Sequence, residues 1–194
     1  DATLVGGQSL ALKAPADGFH LASTMWEDKS SVGGTVGFKA IVFKLADSDT
    51  TDDFDVSVVG TATNGRVDWP LGTSEAPDAS STDPVEKMGL VDLSVDMSTD
   101  GQTIAIGYGG KEASGYTAGN ADGAVKVFQL DSNTFVAKGD AITGEFPLGG
   151  KDRLSLSGDG NMIMVGSGRF RPLYAESDAA KAFGFASNNA DWRA

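Results

Sequence analysis

The chain has 194 residues, of which 40% are hydrophobic and 26 are glycine, enough apolar material for one well-buried domain. It contains no cysteine and one histidine, His20, which excludes disulfide scaffolds, thiolate zinc sites and multi-histidine metal centres. The net charge of −12 argues against nucleic acid and anionic membranes as partners, and no apolar run reaches the roughly 20 residues of a membrane helix.

Three β-hairpins are predicted along the chain, each centred on an Asp-Gly pair. The pairs are Asp17-Gly18, Asp100-Gly101 and Asp159-Gly160, and each stands between two short alternating apolar runs. Asp-Gly is typical of tight hairpin turns because the glycine accepts the positive φ angle that such a turn needs. The similarity of the three segments indicates an internal repeat.

Each hairpin is followed by a polar, glycine-rich loop and then by two further predicted strands. The third strands are predicted over residues 38–45, 124–130 and 180–185, and the fourth strands open on the aromatic residues Phe54, Phe135 and Trp192. Four short strands in each unit, ending in a polar turn, are typical of a blade of a β-propeller.

We therefore predict a single all-β domain over residues 1–194, built of three propeller-like, four-stranded antiparallel units. The units span about residues 3–64, 90–144 and 148–194, with an inserted surface loop over residues 65–89 that is rich in Pro, Ser and acidic residues. Three units are fewer than ordinary propellers have, so we expect an incomplete propeller that is completed by pairing of its termini or by assembly between molecules.

An acidic segment between the third and fourth strands of the first unit is the strongest candidate for a metal site. Asp47, Asp49, Thr51 and Asp55 place oxygen ligands at alternating positions, and Ca²⁺ takes six to eight such oxygens. An ordinary acidic turn explains the same residues, because the other two units have no equivalent acidic loop. Both interpretations stay open.

The repeat resembles those of secreted marine microbial and algal proteins related in style to integrin-type (FG-GAP) propellers. The motifs that carry the resemblance lie mainly in residues 89–194 and include Leu-Ser-x-x-Gly, Ile-Ala-Ile-Gly and Gly-x-Val-x-Val-Phe. The resemblance implies extracellular adhesion or scaffolding without catalysis. It also implies a calcium loop of the form Asp-x-Asp-x-Asp-Gly-x-x-Asp, in which Thr51 stands where the third acid belongs and Asp52 replaces the glycine.

A second resemblance is to the self-assembling proteins of algal pyrenoid shells. The chain is similar to them in being acidic, free of cysteine and β-repetitive. The first residue, Asp1, is typical of a processed mature form or of a trimmed chain, and a removed targeting peptide would be of the secretory or the plastid kind.

One compact basic-aromatic patch is a candidate interface with a neighbouring copy. Arg169, Phe170, Arg171 and Tyr174 combine the residue types that dominate interface hot spots, on a chain that is otherwise acidic. The alternative is a loop whose arginines pair internally. Trp192 has two interpretations, an interface residue or, in register with Phe54 and Phe135, a core residue.

The function predicted from these observations is a non-catalytic structural or protein-interaction module that assembles with copies of itself or with another protein. No pair of carboxylates stands out, and no serine nucleophile motif accompanies His20. No cofactor is predicted apart from Ca²⁺ at the acidic segment. The rival prediction is a Ca²⁺-dependent, secreted adhesion or glycan-binding propeller module.

Overall fold

A computed structural model describes residues 3–28, 37–47, 54–59, 66–70, 93–108, 124–143, 154–166, 180–187 and 190–193. These residues contain fourteen β-strands and no helix, and every strand pairing is antiparallel. The strands form three separate sheets in chain order, which confirms the predicted all-β class and its three four-stranded antiparallel units.

Sheet 1 contains β1 (Thr3–Lys13), β2 (Phe19–Asp28), β3 (Gly37–Asp47), β4 (Phe54–Val58) and β5 (Arg66–Pro70). Sheet 2 contains β6 (Leu93–Met97), β7 (Thr103–Tyr108), β8 (Ala124–Asp131), β9 (Thr134–Ala137) and β10 (Ile142–Thr143). Sheet 3 contains β11 (Leu154–Leu156), β12 (Met162–Gly166), β13 (Ala180–Ala186) and β14 (Asp191–Arg193).

The fourth position of sheets 1 and 2 is shared by two short strands. β3 pairs with β2 along one edge, and along its other edge it pairs first with β5 and then with β4. β8 likewise pairs with β7 on one edge and with both β10 and β9 on the other. β5 lies at the start of the segment predicted as an inserted loop over residues 65–89, and the remainder of that segment lies outside the described residues.

The predicted hairpins are found at all three Asp-Gly pairs, with one difference in length. Leu156 pairs with Ile163 in sheet 3 and Met97 pairs with Ile104 in sheet 2, so six residues separate the partners in each case. In sheet 1 the corresponding pair is Leu12 with Leu21, and the connection is two residues longer. The extra residues fall in the arm where Lys13-Ala-Pro replaces the serine-containing arm of the other two hairpins.

The sheets stack in chain order, and each has a front face and a back face because strand side chains alternate between the two sides. The front face of sheet 2 carries large apolar side chains that pack on the smaller residues of the back face of sheet 1. That first core layer joins Val95, Met97, Ile104, Ile106 and Phe128 to Ala11, Ala22, Ala40 and Val42. Contact between neighbouring sheets is concentrated on their first strands, β1 with β6 and β6 with β11.

The second core layer repeats the same arrangement between sheets 2 and 3. The front face of sheet 3 contributes large side chains, and the back face of sheet 2 contributes smaller ones. This layer joins Leu156, Ile163, Val165, Phe183, Phe185 and Trp192 to Ala105, Val125, Val127 and Ile142. Sheet 2 is therefore covered on both faces, which explains why residues 103–107 of β7 are all buried.

Candidate interaction surface

The turns of hairpins 2 and 3 are built by the same set of hydrogen bonds. In hairpin 2 the Asp100 carboxylate accepts from the Ser98 hydroxyl and, at 3.0 Å, from the backbone N–H of Gln102, while Gly101 N–H donates to the Ser98 carbonyl. Hairpin 3 repeats these bonds at Ser157, Asp159, Gly160 and Asn161. Gly101 and Gly160 have φ angles of +69° and +67°, which is why these positions require glycine.

Two of the turn carboxylates have pKa values below the usual range. The hydrogen bond from the Ser157 hydroxyl, followed by the backbone N–H of Asn161, lowers the pKa of Asp159. In hairpin 1 the pKa of Asp17 is lowered mainly by a 2.7 Å hydrogen bond from the Lys44 ammonium group. The side chains at these turns hold the hairpins in shape, and this role accounts for the repeated aspartates.

Neighbouring sheets approach each other closely at the turns. A Cβ atom placed on Gly101 would lie 2.1 Å from Nδ1 of His20, and one placed on Gly160 would lie 2.7 Å from the Thr103 hydroxyl. His20 and Thr103 follow the Asp-Gly pairs of sheets 1 and 2 at the same spacing. The contact between a side chain of one sheet and the turn glycine of the next is therefore the same for sheets 1 and 2 as for sheets 2 and 3.

His20 occupies a structural position in this arrangement. Its side chain is only 2% exposed, and its Nε2 lies 3.4 Å from the Asp17 carboxylate. Neither ring nitrogen makes a hydrogen bond to a described residue. The imidazole fills the space above Gly101 and thereby sets the distance between the first two hairpins.

Asp96 links all three sheets through its carboxylate. In sheet 2 it accepts a hydrogen bond from the backbone N–H of Met97, and it lies 3.2 Å from Nζ of Lys13 in sheet 1. Its second oxygen accepts a 2.8 Å hydrogen bond from the backbone N–H of Leu156 in sheet 3. The carboxylate is 16% exposed, so these bonds form in a largely water-free place where they gain strength.

Lys138 and Trp192 hold the outer ends of sheets 2 and 3 together. The Lys138 ammonium group donates to the Gly160 carbonyl and to the Asn161 side chain, and it lies 4.9 Å from the ring centroid of Phe185. The Trp192 indole N–H donates to the Lys138 carbonyl at 2.6 Å. Burial lowers the pKa of Lys138, because its ammonium group is removed from water.

The front face of sheet 1 differs from the other front faces because no described sheet packs on it, although Ile41 near the middle of that face is only 8% exposed. Leu10, Leu12 and Val56 are 62%, 60% and 64% exposed. By strand pairing, Val95, Met97 and Phe135 are their counterparts in sheet 2, and these residues are 6%, 0% and 8% exposed. In sheet 3, the counterparts of Leu12 and Val56 are Leu156 and Trp192, which are 5% and 7% exposed.

The back face of sheet 3 is the second uncovered face. Met162 and Met164 are 58% and 55% exposed there, although their counterparts in sheet 2, Thr103 and Ala105, are buried. A Cβ atom placed on Gly184, next to Met162 on this face, would meet nothing within 4 Å. The two free faces thus lie at opposite ends of the stack.

The residues predicted to bind Ca²⁺ are only partly described. Asp47 ends β3 and Asp55 lies in β4, and the strand register places Asp55 opposite Ala46, so the two aspartates flank one turn. Asp49 and Thr51 lie outside the described residues. Within the part of the chain that is described, no group of three potential metal ligands occurs, and the calcium site stays a prediction.

The basic-aromatic patch predicted as an interface, Arg169, Phe170, Arg171 and Tyr174, also lies outside the described residues. Trp192 is described, and its side chain lies in the second core layer with its ring 5.3 Å from that of Phe185. Trp192 and Phe135 occupy corresponding positions, opposite Phe185 and Leu130. Val56 and not Phe54 is their counterpart in sheet 1, because Phe54 lies two residues nearer the turn.

The sequence pattern alone does not distinguish the exposed front-face residues. Alternation shows that Leu10 and Leu12 share a face, but every strand in the repeat has such a face. The signal that was available is a comparison of the three units position by position. It shows that sheet 1 keeps large apolar residues where sheets 2 and 3 use theirs to pack on the preceding sheet.

No protein-family profile, curated protein or solved structure matches this chain. Across the described ranges there is also no helix of the length and apolarity that crossing a membrane requires.

Proposed function

We propose that this protein is a non-catalytic structural module, propeller-like in the arrangement of its sheets, that assembles with copies of itself through the free faces of its sheet stack. The observation that carries the proposal is the exposure of Leu10, Leu12 and Val56 at positions whose counterparts in the next sheet are buried. Leu10 and Leu12 are neighbours on β1 and Val56 lies on β4 at the other edge of the same face, and exposed apolar side chains that share a face are typical of interaction sites.

The free faces are suited to a contact of moderate strength. Burying a leucine or valine side chain fully is worth about 1.5–3 kcal/mol, so covering three that are roughly 60% exposed gains about 3–5 kcal/mol. Phe19 and Val58, at 45% and 40% exposure, and the two methionines raise the total to about 8 kcal/mol. With the smallest association cost, about 4 kcal/mol, the dissociation constant of a single contact is roughly 1 mM.

This estimate explains why the same kind of packing is stable within the chain and concentration-dependent between chains. The three sheets belong to one chain, so their packing on each other does not cost the translational and rotational freedom of a second molecule. A scaffold or shell component would reach the required concentration through many weak contacts in one assembly.

Static light scattering without a column, from about 0.1 to 5 mM protein and with and without EGTA, tests the proposal. We expect the mass to rise with concentration, to ignore the chelator, and to fall to that of a monomer in Leu12→Glu. The control is Val136→Glu, which changes an exposed residue of sheet 2 that lies on neither free face. A chain that stays monomeric throughout would contradict self-assembly, and a mass that depends on EGTA would favour the calcium-dependent alternative.

A further inference from the structure

We infer that the contact between copies is head to tail, with the front face of sheet 1 in one molecule packed on the back face of sheet 3 in the next. This inference rests on the proposed function and specifies its geometry and its residues. The partner for the exposed leucines is thus a second copy of this chain.

The first support is the rule that the molecule applies twice internally. The back face of sheet 1 covers the front face of sheet 2, and the back face of sheet 2 covers the front face of sheet 3. Each contact therefore joins a back face to the front face of the sheet that follows. The two faces left over are one front face and one back face, the pair that the rule would join next.

The second support is that the residues on the free back face of sheet 3 correspond, by strand register, to residues of sheets 1 and 2 that are buried against a front face. The strand register matches Met164 of sheet 3 with Ala105 of sheet 2 and Ala22 of sheet 1, both of which are fully buried against a front face. Ala182 is matched in the same way with Val127 and Val42, which are also buried. The free back face of sheet 3 is thus formed by the same register positions as the covered back faces of sheets 1 and 2.

The third support is the shape and charge of the two faces. The small residues Ala182 and Gly184 leave space on the back face. The exposed side chains of Leu10 and Leu12 project from the front face and form an apolar patch there. Lys13 and Lys44 lie on the back face of sheet 1, where they pair with Asp96 of sheet 2 and with Asp17 of hairpin 1. Because each copy carries a net charge of −12, we expect added salt to strengthen this apolar contact by screening the repulsion between copies.

A head-to-tail contact is heterologous, so it joins two different surfaces and leaves one of each kind free at the ends. This distinguishes it from a symmetric dimer, in which the front faces of two copies would pack on each other. The difference can be tested with one variant on each face.

The experiment uses Leu12→Glu, which blocks the front face, and Met164→Glu, which blocks the back face, with Val136→Glu as the control. Circular dichroism and urea unfolding first establish that each variant folds as the wild type does. Sedimentation velocity is then measured at 1 mM protein for each variant alone and for the equimolar mixture of the two face variants, at low and high salt.

We expect each face variant alone to be monomeric and the mixture to form a dimer and nothing larger. In the mixture, the intact back face of the Leu12→Glu chain meets the intact front face of the Met164→Glu chain. Self-association of Met164→Glu alone, with none in the mixture beyond it, would overturn the head-to-tail geometry while leaving self-assembly in place. A wild type that stays monomeric would instead remove the proposed function itself, so the two failures are distinguishable.

Discussion

Replacing Gly101 by alanine should destabilise the protein much more than a typical turn substitution, because it disturbs both the hairpin and the contact between two sheets. The left-handed backbone at φ +69° costs an alanine about 1–2 kcal/mol. The new methyl group would lie 2.1 Å from His20, which is 2% exposed and has little room to move. Such overpacking costs about 1–3 kcal/mol, so we expect a total loss of about 2–5 kcal/mol.

Urea unfolding followed by tryptophan fluorescence measures this loss, and a double-mutant cycle separates its two parts. In a His20→Ala background the steric part should vanish, leaving the loss of about 1–2 kcal/mol that belongs to the backbone. Gly184→Ala is the matched control, since Gly184 has an ordinary φ and open space above it, and it should change the stability by less than about 1 kcal/mol. A coupling near zero between Gly101 and His20 would refute the close approach of the first two hairpins.

The remaining predictions concern charged side chains, and all of them are read from urea unfolding. Asp96→Ala removes the acceptor of the Leu156 N–H and should cost about 2–4 kcal/mol. Lys13→Met removes only the ion pair, whose lysine side chain is 31% exposed, and should cost less than about 1 kcal/mol; equal losses would contradict the link between sheets. Because the pKa values of Asp17 and Asp159 are lowered in the folded state, their stabilisation is complete above the usual aspartate pKa and is lost as the pH falls through the folded values. Asp17→Asn with Asp159→Asn should therefore lose less stability than the wild type between pH 5 and pH 2, and parallel curves would argue against these hydrogen bonds. Burial lowers the pKa of Lys138, so the wild type should gain stability as the pH rises toward the usual lysine pKa, and this gain should disappear in Lys138→Met.

The strand content of the fold could be predicted from the sequence because its signals are local. An Asp-Gly pair between two alternating apolar runs predicts a hairpin, and the structure contains one at each of the three pairs. The aromatic residues Phe135 and Trp192 are the second residues of β9 and β14 and occupy corresponding positions, as predicted. Phe54 does not occupy the corresponding position in sheet 1. An aromatic residue indicates a strand but does not determine which residue of the neighbouring strand it faces.

The division of the outer strands and the free faces could not be predicted in the same way. β5 falls in a segment whose prolines and acidic residues are typical of a loop, and only its pairing with β3 makes it a strand. Leu10 and Val95 have similar side chains at corresponding positions, yet one is 62% exposed and the other 6%. That difference depends on which sheet lies above, which is a property of the stack and not of either strand.

The short outer strands also bear on how this protein behaves when it is crowded. In the described ranges, β4 and β5 have five residues each, β9 has four, β14 has three and β10 has two. Cross-β fibres are templated by uninterrupted segments of about six or seven residues, and none of these edges offers one. An assembly that needs high local concentration can therefore grow along its stacking direction while the side formed by these short strands stays resistant to amyloid formation.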